Sequence, residues 1–115
     1  MIARVILSKE AKEVYIYLNE ASKTSKIDKS ILNAINNKIE LIKVNPHYGQ
    51  PVSKDKLPLE YVQKYDIKRL FRVSLPNLWR LEYTLTNNDS KIEIIAFVLN
   101  ISNHKEYSKV HNYKK

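Results

Sequence analysis

Two neighbouring stretches of the chain, residues 69–75 and 79–85, alternate between apolar and polar side chains. A period of two is the pattern of a β-strand with one buried face, because successive side chains point to opposite sides of the strand. We therefore predict two antiparallel strands whose apolar faces lie on the same core. The residues of those apolar faces are Phe71, Val73 and Leu75 in the first stretch, and Trp79, Leu81, Tyr83 and Leu85 in the second.

The loop between these strands has to keep both apolar faces on the same side. A two-residue loop at Pro76-Asn77 would place Val73 opposite Arg80 and set the faces in conflict. We therefore predict a loop of three residues.

Two registers of the hairpin satisfy this requirement. In one, Arg72 lies directly opposite Arg80; in the other, Arg72 lies opposite Glu82 and Ser74 faces Arg80. In both registers the two arginines share the polar face of the sheet, which we expect to be exposed, and both can reach one phosphate. The alternative interpretation is that they are ordinary solvated charges on an open sheet face.

The first part of the chain predicts a strand followed by a helical hairpin. Residues 2–7 are rich in β-branched side chains and are typical of a strand. Ser8 is placed to cap a first helix that ends near Ala21, and Asp28 is placed to cap a second. The second helix ends near Val44, because a proline follows two residues later and excludes the helical conformation before it.

The rest of the chain predicts a loop and a third strand of the meander. Residues 46–66 lack periodicity and indicate a loop that can hold a short turn of helix near residues 59–63. Residues 92–99 are apolar on both faces, as in a strand flanked by other strands and covered by helices. The predicted fold class is α+β, with an N-terminal strand, an α-helical hairpin and a three-stranded antiparallel meander in one sheet. A chain of 115 residues suits a single domain.

The composition excludes several classes of site. The chain has no cysteine, which excludes disulfides and thiolate metal sites, and one glycine, which excludes glycine-rich phosphate loops. His47 and His111 have no partners at metal-ligand spacing, so we expect no metal and no cofactor. The apolar runs are too short to span a bilayer and the N-terminus lacks the pattern of a signal peptide, so we expect a cytoplasmic protein.

The charge of the chain indicates its partners. Twenty Lys and Arg residues against twelve Asp and Glu residues give a formal net charge of +8. Such an excess favours polyanions, nucleic acids above all, or an acidic protein.

Three short motifs, in this order, resemble those of the RelE/ParE family of type II toxins. They are Leu70-Phe71-Arg72-Val73, Trp79-Arg80-Leu81-Glu82-Tyr83 and the terminal His104-Lys105-Glu106-Tyr107. The resemblance covers nearly the whole chain and implies the fold predicted above. Its RelE-like branch, which the motifs favour, consists of metal-independent mRNA endoribonucleases that act on the ribosome. These enzymes direct the RNA 2′-hydroxyl onto the adjacent phosphate and leave 2′,3′-cyclic phosphate and 5′-hydroxyl ends.

The resemblance also implies roles for individual residues. Arg72 and Arg80 would hold the phosphate and stabilise its developing charge, and His104 or Tyr107 would transfer protons or stack on a base. Basic side chains that would add contacts to the RNA are Lys54, Lys56, Lys68 and Lys105.

The family resemblance implies partners and leaves alternatives open. The expected partners are an acidic antitoxin, the ribosome and mRNA. The first alternative is a ParE-like inhibitor of DNA gyrase, which has the same fold without the nuclease residues. The second is a non-catalytic basic domain of this fold that binds nucleic acid.

Overall fold

The protein folds around one five-stranded sheet, and this computed structural model describes residues 3–87 and 94–102. The strands are β1 (Arg4–Leu7), β2 (Gln50–Val52), β3 (Leu70–Ser74), β4 (Arg80–Asn87) and β5 (Ile94–Ser102), and the helices are α1 (Lys9–Ala21), α2 (Lys26–Val44) and α3 (Leu59–Tyr65). The strand order is β1-β5-β4-β3-β2. β1 pairs with β5 in parallel, and all other pairs are antiparallel. The predicted α+β class, helical hairpin and meander are confirmed, and β5 is a central strand as expected.

Serine side chains cap both helices of the hairpin. The Ser8 hydroxyl accepts a hydrogen bond from the backbone N–H of Ala11 at 3.0 Å, as the sequence predicted. The cap of α2 is Ser25, whose hydroxyl accepts the N–H of Asp28 at 3.2 Å, so the prediction that Asp28 itself caps this helix is wrong. Ser25 begins the helix one turn earlier, and the Asp28 carboxylate then lies in the first turn, beside the positive end of the helix dipole.

The hairpin of β3 and β4 has the predicted three-residue loop, Pro76–Leu78. The backbone N–H of Leu75 donates to the carbonyl of Trp79 at 2.9 Å and closes the loop. Arg72 lies opposite Glu82, and Ser74 lies opposite Arg80. The structure therefore has the second of the two registers that the sequence allowed.

Helices α1 and α2 pack on the apolar face of this hairpin and form the main core. The strands contribute the side chains that alternation had placed there, and the helices contribute their apolar stripes. The buried members of this core are Ala11, Leu18, Ile31, Leu32, Ile35, Ile42, Phe71, Val73, Leu75, Leu81, Tyr83 and Ile101.

The opposite face of the sheet is partly covered, and the expectation that it is open is wrong over this part. The segment predicted as a loop contains β2 and a 3₁₀ helix at Lys54–Lys56, and the turn of helix predicted near residues 59–63 is α3. Its apolar side chains pack on Leu70, and the Tyr61 hydroxyl donates to Glu82, which is fully buried, at 2.5 Å. The physical reason is that these side chains remove apolar surface from water on the polar side of the hairpin. The members of this second cluster are Tyr61, Ile67 and Leu70, with Val52, Leu57, Val62 and Tyr65 against them.

A polar contact joins α3 to the first turn of α1. The Glu10 carboxylate forms an ion pair with Lys64 and accepts a hydrogen bond from the Tyr65 hydroxyl at 2.7 Å. The hydrogen bonds from Lys64 and then Tyr65 favour the charged carboxylate and lower the pKa of Glu10 from 4.5 to about 2. The side chain of Glu10 is 42% exposed, so solvent screens the ion pair and limits its contribution to stability.

The loop between β3 and β4 holds two residues in the left-handed region. Asn77 has φ 58° and Leu78 has φ 65°. Asparagine tolerates this conformation, whereas the Cβ of leucine clashes with the backbone there at a cost of about 1–2 kcal/mol. Leu78 is 60% exposed, so little burial offsets the strain.

None of the helices within the described ranges is both long and apolar enough to cross a membrane.

Replacing Leu78 with glycine should stabilise the protein. Glycine adopts a positive φ without the Cβ clash, so the L78G variant should gain roughly 0.5–1 kcal/mol in free energy of unfolding. The matched control is I16G, because Ile16 is similarly exposed but lies inside α1, where glycine should lose roughly 0.5–1 kcal/mol. Urea denaturation of the three proteins measures both changes, and a loss of stability in L78G would contradict the strain.

The Glu10 contact should make stability depend on acidity. Because the folded protein holds the pKa of Glu10 below its ordinary value of 4.5, this carboxylate stabilises the fold above that pH, and its contribution is lost as the pH falls towards 2. E10Q should therefore be less stable than wild type near neutrality and should lose less stability between pH 5 and pH 2. Urea denaturation across this range tests the prediction, with E13Q on the exposed side of α1 as the control. Parallel curves for wild type and E10Q would disprove it.

Candidate functional site

The two arginines predicted from the sequence lie on adjacent strands and on the same face of the sheet. Arg72 is opposite Glu82 on β4, and Arg80 is opposite Ser74 on β3, so the two are diagonal neighbours. Diagonal neighbours in an antiparallel pair stand about 7 Å apart, which two guanidinium groups can bridge onto one phosphate. Both side chains are half-buried.

Neighbouring groups fix the position of each guanidinium. Arg72 Nη2 donates to Oε1 of Gln50 at 3.1 Å, and Gln50 is the residue of β2 directly opposite Arg72. Arg80 Nη1 donates to the carbonyl of Trp79 at 3.1 Å. A row of polar side chains thus crosses three strands, from Gln50 through Arg72 to Glu82. Glu82, directly opposite Arg72 on β4, is fully buried.

An open cleft lies beside Arg72 at the edge of β3. β2 is short and pairs with β3 only from Leu70 to Arg72, so the next part of β3 faces α2 and the segment after it. The cleft has a volume of about 330 Å³. The residues that line it are Lys38, Tyr48, Gly49, Gln50, Arg72, Val73 and Ser74.

Lys38 and Tyr48 line this cleft and are not among the site residues predicted from the sequence. Lys38 Nζ donates to the Tyr48 hydroxyl at 3.0 Å and lies 5.4 Å from the centroid of its ring. Lys38 is half-buried, and Tyr48 is 38% exposed. No local pattern sets Lys38 apart from the other lysines of α2, because its partner comes from the turn that follows the helix. Only the folded chain brings this cation next to Arg72.

A buried tyrosine supports the floor of the cleft. The Tyr83 hydroxyl accepts the backbone N–H of Gly49 at 2.9 Å and donates to the carbonyl of Pro46 at 2.7 Å. Burial raises the pKa of Tyr83 above its ordinary value, so the phenol keeps the proton that it donates. The core strand β4 thereby holds the segment that carries Tyr48.

Gly49 is required here for space rather than for an unusual backbone conformation. Its φ is not positive. A Cβ at this position would lie 2.9 Å from Cε1 of Tyr83 and 3.0 Å from Cβ of Phe71, closer than such atoms pack. The one glycine of the chain therefore stands where the backbone passes directly over the aromatic core.

The predicted RNA-binding lysines near β3 lie away from Arg80. Lys54 and Lys56 are exposed in the 3₁₀ helix that follows β2, and Lys68 is exposed just before β3. β2 runs antiparallel to β3, so the chain leaves β2 beside Leu70, at the opposite end of β3 from the Ser74–Arg80 pair. The structure does not gather these three lysines with the two arginines.

The other predicted residues, His104, Lys105 and Tyr107, lie outside the described residues. β5 is described to Ser102, which is paired with Arg80, and the sequence reaches His104 two residues further on.

His47 contacts the core and an arginine just before β3. Its ring stands edge-on to Phe71 at 5.6 Å, and its Nε2 is 3.4 Å from Nη1 of Arg69. Within residues 3–87 and 94–102, no three His, Asp or Glu side chains are grouped as a metal ion would need.

This arrangement can bind a phosphate and stabilise negative charge that develops on it. Two arginines on a paired sheet need little reorganisation, because neighbouring groups already fix them. Their half-burial reduces screening by water and strengthens their interaction with an anion.

Comparison with known proteins identifies the fold. No protein-family model matches the sequence, and a search of curated proteins found no match. Among solved structures, the YoeB dimer from Staphylococcus aureus aligns with a TM-score of 0.56 at 21% identity, over 90% of this chain and 99% of that one. The YoeB/ParE toxin from Agrobacterium tumefaciens aligns with a TM-score of 0.56 at 17% identity, over 88% of this chain and 98% of that one. The chain has the fold of these toxins, and the resemblance seen in its motifs is confirmed at the level of the fold.

Replacing Gly49 with alanine should destabilise the protein. The added methyl group must displace the ring of Tyr83 or the backbone above it, and overpacking of this kind costs about 1–3 kcal/mol in free energy of unfolding. Urea denaturation measures the loss. S53A, an exposed position in the same segment, is the control and should change stability by less than about 0.5 kcal/mol. Equal stability of G49A and wild type would contradict the prediction, because it would mean that the segment around Gly49 moves away from Tyr83 at no cost.

Proposed function

We propose that this protein is the toxin of a type II toxin–antitoxin system and that it acts as an mRNA endoribonuclease on the ribosome. The observation that carries the proposal is the pair Arg72 and Arg80, held as diagonal neighbours on one face of the sheet. The fold shared with the YoeB and YoeB/ParE toxins supports the toxin class. The net charge of +8 supports a polyanionic substrate.

The proposed reaction is an internal transfer at one RNA phosphate. The 2′-oxygen attacks phosphorus, the bond from phosphorus to the 5′-oxygen breaks, and the products are a 2′,3′-cyclic phosphate and a 5′-hydroxyl. One proton leaves the 2′-hydroxyl and one reaches the 5′-oxygen, so the reaction consumes no water and no cofactor. The resemblance to the RelE-like branch implies that His104 or Tyr107 would transfer these protons.

Arg72 and Arg80 act on the charge of the phosphate. As the fifth bond to phosphorus forms, negative charge accumulates on the non-bridging oxygens, and the guanidinium groups stabilise it most strongly at that point. Gln50 and the Trp79 carbonyl hold the two groups in position beforehand. Preorganisation of this kind lowers the barrier because no cation has to be ordered during the reaction.

The same basic surface favours an acidic antitoxin as the neutralising partner. An acidic chain over Arg72 and Arg80 would compete directly with RNA for these cations, because both ligands offer anionic oxygens. Lys54, Lys56 and Lys68 are exposed towards the Leu70 end of β3, away from Arg80, and would add contacts only to a ligand that also reaches that end. Lys105 would add a cation to RNA at the end of the chain.

Inhibition of DNA gyrase is the second candidate function. It is favoured by the alignment with a protein described as a YoeB/ParE toxin. A gyrase inhibitor needs the fold and a docking surface, but it does not need two arginines arranged around a phosphate. The two functions therefore differ in how strongly they depend on Arg72 and Arg80.

Loss of Arg80 should abolish most of the cleavage. In a translating extract, wild-type protein should cut mRNA, and R80Q and R72Q should each cut about 10²–10³-fold more slowly, as when one group that stabilises an oxyanion is removed. H104A should be impaired as well. R4Q, at an exposed arginine of the edge strand β1, is the matched control and should cut like wild type. Primer extension locates the cuts, and the phosphate chemistry of the new ends identifies the reaction.

Two results would contradict the nuclease function. One is growth inhibition by wild-type protein without any cut mRNA in the extract. The other is inhibition that persists in R72Q, R80Q and H104A together with trapped gyrase–DNA complexes, which would establish gyrase as the target.

A further inference from the structure

We propose that the cleft beside Arg72 is a binding site for one nucleotide, in which Tyr48 stacks on the base and Lys38 contacts a phosphate. The inference rests on the proposed function, because it concerns the RNA nucleotide next to the phosphate held by Arg72. It adds two residues from outside the sheet that neither the motifs nor the comparisons assign.

The cleft adjoins the pair of arginines that would hold the phosphate. Arg72 lines the cleft and also lies on the sheet face that carries Arg80, so a chain bound at the arginine pair can continue into it. Its volume of about 330 Å³ lies within the range of small-ligand sites, about 300–1,000 Å³, and suits a single nucleotide.

The residues that line the cleft offer an aromatic ring, a cation and polar groups. Tyr48 offers an aromatic surface that is 38% exposed, and bases of any sequence stack on such a ring. The 3.0 Å contact between Lys38 and the Tyr48 hydroxyl places a cation at the ring, where the phosphate of a stacked nucleotide can reach it. Gln50 and Ser74 add polar groups that can meet the edge of a base.

The segment that carries Tyr48 is held in place by the core. Tyr83 binds both Pro46 and Gly49, so the segment between them, which includes Tyr48, is held at two points from the core. A stacking ring on a fixed segment loses less conformational entropy on binding than one on a free loop. The backbone of the cleft and the ring of Tyr48 are therefore held in position before a ligand binds.

Binding of a non-cleavable trinucleotide tests the inference. The probe is RNA with 2′-O-methyl groups, which block the attacking oxygen, and the amide resonances of Gly49 and Val73 report the titration. Y48L should bind about tenfold more weakly, because stacking on one aromatic side chain contributes that order of affinity. Y48F keeps the ring and loses only the hydroxyl that contacts Lys38, so it should bind more tightly than Y48L. Y17L, at an exposed tyrosine of α1, is the matched control and should leave affinity unchanged.

The salt dependence of RNA binding tests the contact of Lys38 with a phosphate. Each phosphate contact of a single strand contributes about 0.7 to the slope of log affinity against log salt concentration, so K38Q should reduce the slope by about 0.7. K29Q, at an exposed lysine of the same helix, should leave it unchanged. An abasic trinucleotide should respond to K38Q, and Y48L should weaken its binding less than it weakens binding of the base-bearing probe, because the hydroxyl that contacts Lys38 is lost but no stacking is. Thermal unfolding of each variant confirms that it is folded.

The results distinguish a failure of the nucleotide site from a failure of the proposed nuclease function. If Y48L and K38Q bind like their controls while R72Q binds more weakly, the cleft does not hold a nucleotide and the proposed function stands. If wild-type protein cuts mRNA but Y48L weakens the abasic and the base-bearing probes equally, the stacking role is wrong. Pairing of an acidic peptide with the edge of β3, without binding of either RNA probe, would also overturn the inference. If wild-type protein neither binds the probe nor cuts mRNA, both proposals fail.

Discussion

The pairing of β3 with β4 through the three-residue loop Pro76–Leu78 sets the position of almost every other element. Because side chains alternate along a strand, this register directs Phe71 and Tyr83 to one face and Arg72 and Glu82 to the other. A loop shorter by one residue would exchange the faces of one strand and bury an arginine in the main core. The three-residue loop that sets this register holds Leu78 in a strained conformation with a positive φ.

The two faces of the hairpin then acquire different roles. The helical hairpin packs on the first face and forms the main core with it. On the second face, α3 and its apolar neighbours cover the end near Leu70, while Arg72 and Arg80 remain half-buried. Partial cover suits a site for anions, because it restricts water without removing the cations from solvent. The contact of Glu10 with α3 ties this second layer back to the helical hairpin.

The cleft depends on the same core through one aromatic side chain. Tyr83 lies in the main core, stacks on Phe71 at 5.1 Å between ring centroids, and binds the backbone of the segment that carries Tyr48. Gly49 permits this close approach, since any larger residue would meet the Tyr83 ring. Core packing and the shape of the cleft are therefore coupled, and a change at Gly49 should alter both.

The sequence by itself determined what local rules control: the alternation of β3 and β4, the length of their loop, the serine cap of α1 and the end of α2 before a proline. It also placed Arg72 and Arg80 on one face, because strand parity depends only on neighbours in the chain. The tertiary structure decided which of two allowed registers forms, how residues 46–66 cover the second face, and that Lys38 and Tyr48 meet beside Arg72. These features arise from contacts between residues distant in the chain, where burial of apolar surface and space around Gly49 select one packing among several that local preferences permit.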